Sequence, residues 1–183
     1  MPTSKERSQA RRVVSRESVE LSPRCKRDAL WCSIDPGIHT GWALWKGTEL
    51  IESGVFTVPG SKAHERFETR LMYLCTMLSM QSISMPWGSL VEVHMEGVEH
   101  HGSVAGIAAE RSGATQKLAY IVGAYLHALG VLTRCYLHKP HEWKGQLSDH
   151  AVDRWVEDVM DRGFKRHEVE AVGLGLYLQG RWM

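Results

Sequence analysis

The chain has 183 residues, 43% of them hydrophobic, enough for one domain of about 150 residues with a core of its own. Its 22 Lys and Arg against 21 Asp and Glu exclude a uniformly basic nucleic-acid binder, and no apolar stretch approaches the ~20 residues needed to span a bilayer. The N-terminus lacks the apolar segment of a secretory signal, and Cys25, Cys32, Cys75 and Cys135 show no C-x-x-C spacing. The expectation is therefore a reduced, soluble, cytoplasmic protein.

The charge is unevenly placed. Residues 1–27 hold eight basic and three acidic side chains, a net of +5, which leaves 14 basic and 18 acidic residues, a net of −4, for the remainder. Two units are expected: a basic, disordered arm over 1–27, suited to phosphate, and a globular domain over 28–183 that concentrates carboxylates.

After the arm, Leu30–Ile34, Gly41–Lys46 and Leu50–Val58 read as strands separated by turn residues, Pro36-Gly37 in one case and Lys46-Gly47-Thr48 in the other. Connections this short make them an antiparallel meander. Asp35 stands at the end of the first strand, outside the core yet held on a rigid element. Ser61 can cap a helix carrying Phe67, Leu71, Leu74 and Leu78 at helical spacing. Leu90 to Glu96 alternates as a fourth strand and ends on a second acid, Glu96. A polar loop with His100 and His101 follows, then a long Ala-rich helix over Ser103–Leu129 and a fifth strand over Val131–Leu137. The order of elements predicts an α/β fold: a mixed five-stranded sheet, three-strand antiparallel meander plus two parallel strands, with helices on both faces.

Lys139, Trp143 and Lys144 lie in a basic, aromatic loop, a composition that can neutralise phosphate and stack on a base, and that also suits a loop anchor. Ser148 starts an amphipathic helix that ends at Gly163, and a last helix runs from about Arg166 to Leu178. In that helix His167 and Glu170 stand three apart, so they share a face that continues through Ala171, Leu174 and Leu178 toward the core. Ligand-type side chains thus begin a stripe that is otherwise apolar, whereas Glu168 points aside and suits the helix dipole. Two strand-end acids and a His/Glu pair at a helix start are hard, oxygen-rich donors that suit Mg²⁺ or Mn²⁺. Two such ions roughly 3.5–4 Å apart can activate water and stabilise the leaving oxygen of a phosphodiester.

The motifs Ile34-Asp35-Pro36-Gly37 with Thr40-Gly41-Trp42-Ala43, Met95-Glu96, and Glu170-Ala171-Val172-Gly173-Leu174-Gly175-Leu176 together resemble the RuvC-type Holliday junction resolvases of the RNase H-like superfamily, especially their phage-related branch. The resemblance runs from about Leu30 to Tyr177. It implies an RNase H-like fold and a homodimeric, Mg²⁺-dependent endonuclease on branched DNA, with two ions held by Asp35, Glu96, His167 and Glu170. His167 is open to a second role as general base, since an imidazole titrates near neutral pH. Lys139, Trp143 and Lys144, by the composition of their loop, and His100 and His101, by their place next to Glu96, are the candidate DNA contacts. Two departures stand out: the family's last acid is usually Asp where this chain has Glu170, and its junction-wedging aromatic is replaced by Glu99. Rival readings are a nuclease acting on RNA–DNA hybrids and a non-catalytic DNA-binding module. An actin-like ATPase needs two such domains, and this chain has room for one.

Overall fold

The computed structural model describes residues 28–58, 66–79, 89–99, 111–130, 132–145 and 147–181. The basic arm, His100, His101 and Ser61 lie outside them. Strands β1 (Leu30–Asp35), β2 (His39–Lys46), β3 (Glu49–Thr57), β4 (Glu92–Glu96) and β5 (Arg134–His138) form one sheet in the order β3-β2-β1-β4-β5. β1–β2 and β2–β3 pair antiparallel, β1–β4 and β4–β5 parallel. This is the expected meander plus two parallel strands. No helix among the described residues is long and apolar enough to cross a membrane.

Because alternate side chains of a strand point to opposite faces, the central strands feed two cores. On one face Cys32, Ile34, Leu44, Val93 and Met95 pack against helices α1 (Phe67–Ser79) and α2 (Ala114–Leu129), through Leu74, Leu78, Ile121, Tyr125 and Leu129. On the other, Trp31, Ala43 and Trp45 pack against the short helix α3 (Pro140–Trp143), α4 (Asp149–Met160) and α5 (Arg166–Leu178). Trp31, Trp45 and Trp155 are buried in this second core.

The polar residues of the second face are what aim α5. Ser33 Oγ donates to the Ala171 carbonyl at 2.7 Å and accepts from Trp45 Nε1 at 2.9 Å. Two close approaches require glycine: a Cβ on Gly175 would fall 2.4 Å from the Trp45 ring, and one on Gly41 would fall 1.7 Å from the His167 carbonyl oxygen. The first turn of α5 thus rests directly on the β2 backbone. Glu168 accepts from the Lys165 amide at 3.2 Å and from Ser53 Oγ at 2.7 Å, closing the helix start and tying it to β3. That is the ordinary capping job expected of it.

Some boundaries differ from the sequence reading. The helix expected over Ser103–Leu129 is described as α2 only from Ala114, because Gly113 adopts φ +72°, which a helix interior does not accommodate; residues 101–110 lie outside the described set. β5 starts at Arg134, since the Leu132 and Thr133 amides both turn back to the Leu129 carbonyl and finish the helix instead of extending a strand. The loop expected at 138–145 contains α3. Four residues are too few to show periodicity, although Pro140 at the first helical position and Glu142, which accepts from the Lys139 amide at 2.9 Å, are start signals.

Candidate active site

Parallel pairing of β1 with β4 brings their C-terminal ends to the same end of the sheet, and the register sets Ile34 beside Met95. Asp35 and Glu96, the next residue of each strand, therefore emerge side by side. The turn that follows Asp35 is locked: Thr40 Oγ1 donates to the Gly37 carbonyl at 2.7 Å and accepts from the Gly37 amide at 3.2 Å and from the Tyr125 hydroxyl at 2.8 Å. With its single proton and both lone pairs used, Thr40 fixes the turn to α2. Gly41, paired with Asp35 across β1–β2, is where α5 touches down, so His167 arrives above Asp35 and donates through Nδ1 to Asp35 Oδ2 at 2.9 Å. That carboxylate raises the His167 pKa above its ordinary 6.5. His39 stacks on the same ring at a centroid distance of 6.0 Å.

One helical turn further, Glu170 enters the same space at 9% exposure. Burial, the largest influence, pushes its pKa from 4.5 to about 7, with Glu96 and Asp35 adding to the rise and Lys144 opposing it. Glu96 is raised too, by burial first, against the Lys144 charge. These mutual effects mean that Asp35, Glu96 and Glu170 share one electrostatic environment. Lys144 sits within it, with Nζ 3.1 Å from Glu96 Oε2 and 2.5 Å from Glu170 Oε2. Burial alone would lower the lysine pKa, but the two carboxylates outweigh that and leave it above 10.5. The ammonium is thus the close partner of the buried Glu170 Oε2.

Three carboxylates and an imidazole form a hard donor set that fits Mg²⁺ or Mn²⁺. Among the described residues no three of these side chains already converge on one coordination point; Lys144 lies between Glu96 and Glu170.

No family model matches the chain, and no curated protein matches it in sequence. Among solved structures it is similar to Thermus thermophilus RuvC in complex with a Holliday junction substrate, with a TM-score of 0.58 and 16% identity over 84% of this chain and 95% of that one. It is also similar to a second structure of Thermus thermophilus RuvC, with a TM-score of 0.55 and 18% identity over 83% and 95%. The fold is that of RuvC. The RNase H-like sheet expected from the motifs is the sheet observed, with Asp35, Glu96, His167 and Glu170 at one end of this RuvC fold.

The candidate DNA contacts divide. Lys139 is exposed at the start of α3. Trp143 is a correction: it is 1% exposed, and its indole N–H donates to Glu96 Oε2 at 3.1 Å, so the ring has no face for a base and acts as the loop's anchor. Lys144 follows it inward. Glu99, at the position of the family's aromatic wedge, pairs with His141 and accepts from the His141 amide at 3.2 Å, holding the loop after β4 to α3.

The sequence reading did not single out a buried string beneath Glu96. His94 Nδ1 lies 2.9 Å from His138 Nε2, and His94 Nε2 lies 3.4 Å from Glu92 Oε2. Burial, the main cause for each, pushes both imidazoles down to about 4, so they are neutral hydrogen-bonding core residues. The period of β4, which sets Glu92, His94 and Glu96 on one face, is the signal that could have found them. Beside the Asp35 turn, a cleft of about 380 Å³ between α1 and α2 is lined by Ile38, Phe67, Arg70, Lys117, Leu118 and Ile121.

Proposed function

We propose that this protein is a Mg²⁺- or Mn²⁺-dependent endonuclease that cuts branched DNA, four-way junctions above all. The observation that carries the proposal is the convergence of Asp35, Glu96 and Glu170, from two parallel strand ends and a helix start, into one partly buried acidic cluster. Such a cluster is costly to hold, because each carboxylate raises the proton affinity of the next, and a divalent cation relieves that cost. When bound, the ions would supply Lewis acidity and a water of lowered pKa at a phosphodiester.

The chain's own groups divide the remaining work. Asp35, Glu96 and Glu170 are the proposed ligands. His167 holds and orients Asp35, and would either join these ligands or serve as the general base. The cleft beside Ile38, with its apolar lining and the cations of Arg70 and Lys117, suits the path of a strand leading to the site. Lys139 is a further phosphate contact, and the arm over 1–27 adds sequence-independent attraction.

One such domain carries one site, so paired cuts across a junction call for a two-fold dimer. The outer face of α2 supports that assembly. Tyr120 is exposed at 52%, and a Cβ on Gly123 would meet nothing within 4 Å, which leaves small-residue surface on which a second helix can approach closely.

The test is substitution without loss of volume. Asp35→Asn or Glu96→Gln should abolish cleavage while leaving the fold and junction binding intact. Cutting at the wild-type rate in either variant overturns the assignment, and joint loss of activity and thermal stability makes the acids structural.

A further inference from the structure

We infer that Lys144 is a built-in counter-ion of the acidic cluster, one that a divalent ion must displace before the site is loaded. The inference rests on the metal-site reading above and concerns what occupies the cluster when no metal does. The ammonium spans Glu96 and Glu170, at 3.1 and 2.5 Å from their Oε2 atoms. Its side chain is 16% exposed, so this is no solvated surface pair of the kind that contributes little.

The backbone beneath it is fixed. The Lys144 amide closes α3 on the Pro140 carbonyl at 2.8 Å, its own carbonyl accepts from Leu147 at 3.1 Å, and the preceding Trp143 is buried and bonded to Glu96. What can move is the four-carbon side chain, with the Trp143 ring beside it at 4.8 Å from Nζ to the centroid.

Charge and space both point to exchange, not coexistence. The Lys144 ammonium offsets one of the three carboxylate charges, the part of the cluster's charge that a divalent ion would take over. A Mg²⁺ ion needs carboxylate oxygens at about 2.0–2.1 Å in a near-octahedral shell, and the ammonium already touches the oxygens that would turn toward it. Two cations held by the same pair of carboxylates would also repel strongly at partial burial. Lysine is the cation suited to leaving, being a point charge on a flexible stem, whereas a guanidinium would lock bidentate.

Two measurements on the full chain test this. Lysine ammonium NMR of the wild type, with the Lys144 signal assigned against Lys144→Arg, should show that signal shift to the position of an exposed lysine as Mg²⁺ is added, with the midpoint of the calorimetric titration. Calorimetry on Lys144→Met at about pH 9, where the carboxylates of both proteins are largely ionised, should give Mg²⁺ affinity tighter than wild type by on the order of tenfold, roughly one charge-assisted contact. A Lys144 signal that stays put while Mg²⁺ binds, or an affinity equal or weaker in the variant, overturns the counter-ion role and leaves the metal site standing. Absence of Mg²⁺ binding in both proteins removes the metal-site reading and this inference together. If Lys144→Met does not fold, the wild-type NMR titration decides alone.

Discussion

Replacing Glu170 with Gln should stabilise the metal-free protein in mild alkali and leave it nearly unchanged in acid. Glu170 is almost fully buried, and its pKa stands at about 7 in the folded chain against an ordinary 4.5. The folded state therefore keeps a proton that the unfolded chain gives up. This contribution to stability is full below about pH 4.5 and is lost as pH rises through 7. Integrated between those two values, the loss from pH 5 to pH 8 is roughly 2–3 kcal/mol. Gln cannot ionise, so the variant escapes it. The attraction of Lys144 for ionised Glu170, which the variant lacks, is already contained in that pKa, and the lysine itself stays charged throughout. Urea unfolding at several pH values in chelator should show the difference between variant and wild type grow by that amount. Saturating Mg²⁺ should then reverse the order, since ligand stabilises only the protein that binds it. A pH-independent difference would refute the claim that Glu170 carries an ionisation held at a cost for metal.

Two more expectations follow from the packing and the charge pattern. Gly41→Ala would set a methyl group 1.7 Å from the His167 carbonyl, on helix backbone that cannot give. It should cost roughly 1–3 kcal/mol or more and let the His167 pKa fall back toward 6.5, read by imidazole NMR; an unchanged histidine would mean that α5 is not seated there. Deleting residues 1–27 should flatten the dependence of log DNA affinity on log salt by roughly 0.9 for each phosphate that the arm neutralises, with cutting at saturating DNA retained; an unchanged slope would assign the arm to something other than phosphate.

The parts of the site legible in the sequence were those that local patterns specify. Asp35 could be placed because apolar runs flank an Asp-Pro-Gly turn, Glu96 because it ends an alternating run, and His167 with Glu170 because a three-residue spacing sets them on one helical face. Lys144 and Trp143 could not. A basic loop with one tryptophan reads alike whether it faces solvent or folds over the end of the sheet, and what decides is tertiary: Gly173 leaves the space in which the Trp143 ring lies, 3.0 Å from where a Cβ would stand. Burial of the His94–His138 pair was hidden for a similar reason. Rings from both neighbouring strands, Trp31 edge-on and Tyr136 stacked at 5.0 Å, enclose His94 and turn an alternating strand face into core.

Incubation of the wild-type protein with a synthetic four-way junction, each arm end-labelled in turn, against flap, duplex and RNA–DNA hybrid controls, with and without Mg²⁺, tests the central claim most directly. The account predicts Mg²⁺-dependent nicks at symmetry-related positions on opposing strands of the junction. A single unpaired nick, a preference for the hybrid, or cutting that persists in chelator would contradict it.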